Sequence, residues 1–520
     1  MTLETLETDE APHPLAEEPH RPGRIELTRE RLVAIHPAAW TVGLLAVAFA
    51  VVFGRLGVQQ HHNFGTWSFD MGIYDQGFWL VSRGGQSFVT VRGLEFWGHH
   101  VNLIVLAFVP FYWLGAGPSF LYVAQAVALG GGAIPTYLIA RDLFRTRLAN
   151  SEWMGLVFAI VYLLYAPVQW IAWANFHPEA LVITPLLFAW WFAQRGRWLG
   201  FFVASVIALS TREDTALAVL VMGGVLWWMF RRADRSPRDQ WMAFATVALG
   251  AVWYLATTRF VIPHFNQGEQ PFYVGYFFGH YGDTMPEIAV TMLERPDRVV
   301  SDATQPDRLR FYRDLFLPLG GMPLIAPLQL LMAVPQMLAS VIGLSPYART
   351  IRFQYTSVMV APIMIASIHG AFTIWRYAFV RRVLVPWLLV CAYVTNVAWS
   401  PSPWGANDRV WAGVDLRHDS MRAAIELVPD DVSVASTFSM LPHLSQREQI
   451  YDWPNPWVTS YWGNDDEFRL PDPGDIEFVV LDRRQVGSAE QELLERLVGP
   501  DGEFEVLFDR DEVVVGRRPD

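Results

Sequence analysis

The chain has 520 residues, of which 52% are hydrophobic and only 17% are charged, and its formal net charge is −12. Soluble domains carry about 25% charged residues, so the deficit indicates a surface that faces lipid. The acidic balance argues against nucleic acid as a partner. The single cysteine, Cys391, excludes an internal disulfide and a thiolate metal site.

The first residues, 1–37, are polar and charged and lack the apolar core of a cleavable signal peptide. We expect them to form a disordered cytoplasmic tail. After the tail, a spanning helix needs roughly 20 mostly apolar residues. By this measure residues 38–400 hold about 11 spans. The predicted spans are residues 38–57, 118–140, 153–173, 179–194, 198–211, 214–230, 240–262, 312–322, 324–343, 356–375 and 382–399.

The apolar segment 101–116 decides the topology, because short cytoplasmic loops carry excess arginine. If this segment does not span, the arginine clusters around residues 141–147, 195–197, 231–238 and 376–382 all face the cytoplasm. If it spans, the first three clusters move outside together. We therefore predict a multi-pass protein of the bacterial inner membrane with a cytoplasmic N-terminus and a large first external loop at 58–117.

Residues 401–520 change in composition and alternate short β-rich runs with helical pieces. The runs are 432–436, 476–482 and 504–516, and the helical pieces lie near 415–428 and 488–498. This pattern predicts a soluble α/β domain outside the cell. It contains no GxGxxG or Walker-type phosphate loop.

The predicted topology gathers ionisable residues at span ends on the external side. Ionisable groups at membrane depth are costly, and by default they mark function. Five short motifs carry them: SFDMGIYDQ, LEFWGHHVN, NFHPEAL, STREDTAL and VIPHF. The residues are Asp70, Asp75, Glu95, His99, His100, His177, Glu179, Arg212, Glu213, Asp214 and His264, with His280 further along the chain.

The residues of the first two motifs could have purely structural roles instead of functional ones. Asp70 is placed to cap a helix over Met71–Leu80, as aspartate often does. Asp75, one turn later, suits a solvated or structural partner. His99 and His100 suit interfacial histidines.

The other motifs have structural alternatives as well. Pro178 suits the first turn of a helix, so Glu179 would favour the helix N-terminus. The run 212–214 would form an internal salt bridge. The chain has no HExxH zinc signature, so no cofactor is certain, although carboxylates with histidines are a donor set for Mg²⁺ or Mn²⁺.

Several ordered motifs resemble one bacterial family of membrane proteins, domain of unknown function 2079. The resemblance runs from about residue 40 onward through the five motifs above, the stretch AVPQMLASVIGLSPY with RFQYTSVMVAPIMIA, which contains Tyr355, and the late PHLSQREQIYDWP. The family is grouped with the GT-C class of membrane glycosyltransferases, which use lipid-phosphate-linked sugars. The resemblance implies a first external loop with jaw-like helices, one of them at 101–116. It also implies an acidic catalytic residue early in that loop, a position that Asp70 occupies.

The hypothesis is therefore transfer of a sugar from a polyprenyl-phosphate donor to an unknown envelope acceptor at the external face. A positioned carboxylate accepts the proton of the attacking hydroxyl, and Asp70 takes that role. Arg212 and the histidines at 100, 177 and 264 would bind the donor phosphate. Glu179, Glu213 and Asp214 would orient these cations or complete a metal site.

Two other functions compete with this hypothesis. A transporter or flippase of an envelope precursor would place ionisable groups near the bilayer midplane, whereas here they lie at helix ends. A non-catalytic assembly protein would use the C-terminal domain to bind an envelope partner.

Overall fold

The chain is described by a computed structural model that covers residues 35–461 and 470–519. Within these residues six helices are long and apolar enough to cross a membrane, and a bent pair would make a seventh span. The pair, Ser151–Leu164 and Ala166–Trp173, bends by 45°. The six spans are Pro37–His62, Pro118–Phe144, Thr215–Arg232, Pro237–Phe265, Gln354–Ile374 and Ala378–Trp399. Most of the predicted N-terminal tail, residues 1–34, lies outside the described residues.

The predicted count of eleven spans is not confirmed, because several apolar stretches form helices too short to cross a bilayer. The stretches 179–194 and 198–211 contain the 12-residue helices Ile183–Gln194 and Trp198–Leu209. The region 312–343 is broken where Gly320 and the next glycine adopt positive φ angles of 61° and 76°. A left-handed backbone conformation ends a helix.

Shorter helices connect the spans and cover their ends. They include the segment that carries the first candidate acids and a run of three helices between the fourth and fifth candidate spans. The helices of eight or more residues in this group are Ile73–Ser82, Met285–Glu294, Pro296–Ala303, Pro306–Phe316, Val334–Ile342, His418–Glu426 and Gln491–Val498.

The arginine clusters gather at one end of the helix bundle. Arg195 forms an ion pair with Asp142 at 2.5 Å, and Arg147 donates to the carbonyl oxygen of Phe372 at 2.7 Å. The helix Thr215–Arg232 ends in this arginine-rich layer and begins next to the candidate acidic residues. The arginines and the candidate site therefore lie at opposite ends of the bundle, as the loop charges predict.

The first long loop is ordered and contains no spanning helix. After Ile73–Ser82 it forms a small hairpin of β1 (Phe88–Val89) and β2 (Leu94–Glu95). The segment 101–116 forms only two short helices, Leu103–Ala107 and Val109–Tyr112. The prediction that 101–116 does not cross the membrane agrees with this structure.

The C-terminal part carries a mixed five-stranded sheet in the order β4-β3-β5-β7-β6. β3 is parallel to both of its neighbours, β4 and β5, and the other pairs are antiparallel. The strands are β3 Val434–Ser436, β4 Ile450–Asp452, β5 Phe478–Asp482, β6 Glu505–Arg510 and β7 Val513–Arg517. The predicted run 504–516 is a hairpin because Asp511 and Glu512 turn the chain with positive φ angles.

The C-terminal sheet packs directly on the first long loop. The backbone N–H of Ser68 donates to the carbonyl oxygen of Phe438 at 3.0 Å. Met71 and Phe78 of the loop share one buried core with Leu441 and Val480 of the C-terminal part. This packing places the C-terminal part against the segment that carries Asp70.

Candidate functional site

The Asp70 carboxylate lies on a short π-helical turn, Ser68–Gly72, which continues into Ile73–Ser82. The turn begins after Trp67, and the Asp70 side chain does not cap either helix. The capping alternative is therefore wrong. Instead, Oδ1 of Asp70 lies 3.2 Å from Nε2 of His177.

His177 is fixed by three contacts just beyond the end of Ala166–Trp173. Its Nδ1 donates to the carbonyl oxygen of Asn175 at 2.8 Å, and its backbone N–H donates to Gln125 at 3.1 Å. Burial lowers the pKa of His177, but the charge and hydrogen bond of Asp70 outweigh it and the pKa is raised. The geometry therefore pairs the His177 imidazole with the Asp70 carboxylate.

Arg212 is held between two carboxylates. Its Nη1 lies 2.5 Å from Glu179 Oε1, its Nε donates to Asp214 at 2.8 Å, and its Nη2 also bonds to Asp214. Burial raises the pKa of Glu179, but the Arg212 charge reverses this effect and the pKa is lowered. The salt-bridge alternative describes Arg212 well. Each guanidinium nitrogen bonds to a carboxylate, which uses three of the five N–H donors, so the contacts that hold Arg212 are its ion pairs with Glu179 and Asp214.

Glu213 and His100 form a second buried pair. Oε1 of Glu213 lies 2.8 Å from Nδ1 of His100, and Oε2 accepts the backbone N–H of Val101 at 3.1 Å. Burial raises the pKa of Glu213, but His100 and Arg212 lower it to about 2. Burial and the neighbouring His100 hold the pKa of His99 well below its usual value, so His99 is neutral.

Arg92 is a residue that the sequence reasoning missed. It is only 1% exposed, and no described residue accepts a hydrogen bond from its Nη1. Its guanidinium lies 4.5 Å from the ring centre of Phe272 and 5.5 Å from that of Phe69. Burial lowers the pKa of Arg92 to about 10, so it stays charged at neutral pH. A lone arginine in the run VTVRGLEF offers no motif that would have revealed it.

One cavity of about 350 Å³ joins these groups. Its polar end holds nine Asp, Glu, His and Arg side chains. Its other end is lined by apolar side chains from the helices between residues 273 and 343. The polar lining is Asp70, Arg92, His99, His100, His177, Glu179, Arg212, Glu213 and Asp214, joined by Tyr355. The apolar lining includes Phe277, Phe278, Met285, Ile288, Met292, Leu338 and Ile342.

The cavity lining does not include four of the predicted site residues. Asp75 is fully buried on the next helical turn, and Glu95 accepts a hydrogen bond from Ser87 at 2.7 Å. His264 is exposed and touches Phe265, and His280 packs against the ring that follows it in sequence. His264 is therefore a poor candidate for the donor phosphate.

The donor set does not fit a divalent cation well. Within residues 35–461 and 470–519, no group of three or more His, Cys, Asp or Glu residues is arranged to hold a metal ion. Each of the four cavity carboxylates already faces an arginine or a histidine. We derive no step through Mg²⁺ or Mn²⁺.

The family model of predicted membrane proteins known as DUF2079 matches residues 60–515. The chain belongs to the DUF2079 family. The fold is also similar to the crystal structure of ArnT from Cupriavidus metallidurans bound to undecaprenyl phosphate, with a TM-score of 0.50 and 12% identity. The match covers 92% of this chain and 98% of that chain. By sequence, the chain matches no protein of curated function.

Proposed function

We propose that the chain transfers a sugar from a polyprenyl-phosphate donor to an acceptor hydroxyl. The observation that carries the proposal is one cavity that joins a carboxylate, a buried arginine with no carboxylate partner among the described residues, and an apolar wall. A lipid-phosphate sugar presents the complementary groups: an anomeric carbon, a phosphate and an isoprenoid chain. ArnT, a GT-C glycosyltransferase of similar fold, is bound to undecaprenyl phosphate, which supports this class of donor.

Asp70 is the proposed general base. Its Oδ1 is held by His177, so its other oxygen accepts the proton of the acceptor hydroxyl. The acceptor oxygen bonds to the anomeric carbon while the bond from that carbon to the phosphate oxygen breaks. The bonding pair leaves with the lipid phosphate. The His177 imidazole fixes the orientation of the carboxylate.

Arg92 is the proposed ligand of the leaving phosphate. The negative charge on that group grows as the glycosidic bond breaks, so a preorganised buried cation stabilises the transition state. Arginine suits phosphate because its guanidinium donates two parallel hydrogen bonds. Arg212 instead orients Glu179 and Asp214 in the cavity lining. The apolar wall excludes water that would hydrolyse the donor.

We propose further that the reaction takes place at the extracytoplasmic face of the inner membrane. The arginine-rich layer at the opposite end of the bundle supports this orientation. After Cys391→Ala, an impermeant thiol reagent applied to intact cells should label Ser488→Cys and spare Ser236→Cys. Labelling of Ser236→Cys alone would invert the topology.

The proposed reaction is tested with the purified full-length chain. It is incubated with radiolabelled polyprenyl-phosphate sugars and envelope acceptors. Transfer is measured as the release of the lipid phosphate. We expect turnover with at least one donor, and loss of turnover in Asp70→Asn. Asp419→Asn is a matched control, since Asp419 is exposed and pairs with the exposed Arg422. Donor binding without any transfer across the panel would favour a transporter.

A further inference from the structure

Asp75 lies five residues after Asp70 on the same helical segment, yet it is enclosed by protein. It is 0% exposed, and three side chains donate to its carboxylate. Tyr112 donates to Oδ1 at 2.7 Å, Ser445 donates to Oδ2 at 2.6 Å, and Gln446 donates to Oδ1 at 3.3 Å. One carboxylate therefore joins the Asp70 segment to the end of the first long loop and to the C-terminal part.

The neighbouring Gln76 extends this junction. Its Nε2 donates to Thr90 at 2.8 Å and to the carbonyl oxygen of Arg447 at 3.2 Å. Thr90 in turn exchanges two hydrogen bonds with the backbone of Ile450, at 2.6 and 3.0 Å. The C-terminal residues 445–450 thus bond to the segment of Asp70 and to the residue two positions before Arg92.

A buried polar network lowers the stability of the fold unless every polar group in it has a hydrogen-bond partner. When all of them have partners, the network fixes a single geometry. Burial raises the pKa of Asp75 to about 6 despite its three donors. An apolar residue would fill this position without that cost. The carboxylate is therefore not explained by fold stability alone.

We propose that Asp75 is a positioning residue, through which the C-terminal part sets the place of the Asp70 carboxylate in the cavity. The inference rests on the proposed transferase function. Asp75 does not line the cavity and touches no substrate, so its effect passes through the helix Ile73–Ser82. Asp75 and Ser445 are 370 residues apart in sequence but share one hydrogen bond. Their substitutions should therefore affect turnover through the same contact.

The test compares kcat and donor affinity in the full-length chain. Asp75→Leu should lower kcat by about 10²-fold, the usual effect of misplacing a catalytic group by about 1 Å. Ser445→Ala should lower it by about tenfold, and the double variant should be no slower than Asp75→Leu alone. The dissociation constant for a polyprenyl phosphate should stay within about threefold of wild type throughout.

Two controls separate positioning from general damage. Asp75→Asn keeps an acceptor for Tyr112 and should recover kcat to within about threefold of wild type. Asp419→Asn, an equivalent change at an exposed site of the C-terminal part, should have no effect. Wild-type kcat in Ser445→Ala and Asp75→Leu would overturn the inference, as would equal losses of kcat and donor affinity.

Hydrogen exchange of residues 68–82 gives a readout that does not depend on activity. If wild type shows no transfer with any donor, the proposed function fails but the junction is still tested. Faster exchange of these amides in Ser445→Ala, with wild-type exchange in Asp419→Asn, supports the positioning contact. Unchanged exchange in Ser445→Ala contradicts it.

Discussion

Asp70 and Asp75 are carboxylates on one continuous helical segment, but their surroundings are opposite. The Asp70 side chain is 24% exposed, faces the cavity and pairs with His177, its one ion-pair partner among the described residues. Asp75 is fully buried and receives three hydrogen bonds from groups outside the cavity. Only Asp70 has an oxygen available to a substrate.

Under the proposed function, Asp70 is the carboxylate that reacts and Asp75 is the carboxylate that holds it in place. A general base must reach the proton that it abstracts, which Asp70 can do and Asp75 cannot. A residue that holds a catalytic group in place must itself be fixed by several contacts, and three hydrogen bonds fix Asp75 in this way. Substitutions that remove charge but keep shape should therefore act very differently at the two positions.

The largest expected effect is at Asp70. Asp70→Asn keeps the side-chain size but removes the base, so kcat should fall by about 10²–10⁴. Folding should be unchanged, since Asp70 caps no helix. Asp75→Asn, measured in the same transfer assay, should stay within about threefold of wild type. Equal losses of kcat in Asp70→Asn and Asp75→Asn would contradict the different roles proposed for the two carboxylates.

The next effect concerns Arg92. Arg92→Gln removes the one buried cavity arginine whose Nη1 lacks a described partner, so binding of undecaprenyl phosphate should weaken by about 10²-fold. The binding is measured by titration of the purified chain. Arg352→Gln, at an exposed arginine outside the cavity lining, is the control. Unchanged affinity in Arg92→Gln would remove Arg92 from the phosphate site.

A smaller effect is expected for the buried ion pair beneath the site. Glu179→Gln leaves Arg212 with Asp214 alone, and loss of a hydrogen bond to a charged group costs about 2 kcal/mol. The thermal midpoint of the detergent-purified chain should fall. Asp297→Asn, which breaks an exposed pair, should leave it unchanged. A midpoint that stays constant in Glu179→Gln would show that the pair is not structural.

The smallest effect is the pH dependence of stability at Asp75. Its pKa in the folded chain is about 6, above the usual 3.8, so the folded state binds the extra proton between these values. The contribution of Asp75 to the free energy of unfolding therefore falls by about 1 kcal/mol as pH rises from 5 to 7. Asp75→Asn lacks this term, so its stability relative to wild type should increase over the same range. A constant difference between the two denaturation curves would contradict the raised pKa.

Much of the site grouping was predictable because the relevant motifs sit at helix ends. FHPE follows one apolar helix and RED precedes another, so both motifs fall in the same layer as the loop that carries Asp70. The sequence could not show that Arg212 pairs with both Glu179 and Asp214, since that depends on side-chain geometry. It could not reveal Arg92 either, because an isolated arginine in a loop carries no spacing signal.

The span count and the C-terminal sheet show similar limits. Hydropathy located the apolar stretches, but glycine and proline breaks within 312–343 decide whether a stretch is one helix or several. The strand β4 has only three residues and lies beside a Trp- and Pro-rich run, so its pattern was too short to read. The junction at Asp75 depends on contacts between residues about 370 apart, which no local pattern encodes.

The proposed function requires that the cavity between Asp70 and Arg92 receives a lipid phosphate. A cryo-electron microscopy structure of the full-length chain with undecaprenyl phosphate tests this directly. We predict phosphate density within hydrogen-bond distance of the Arg92 guanidinium, with the isoprenoid chain along the wall formed by Met285, Ile288 and Met292. Phosphate density outside the cavity, with Arg92 still buried and uncontacted, would contradict the account.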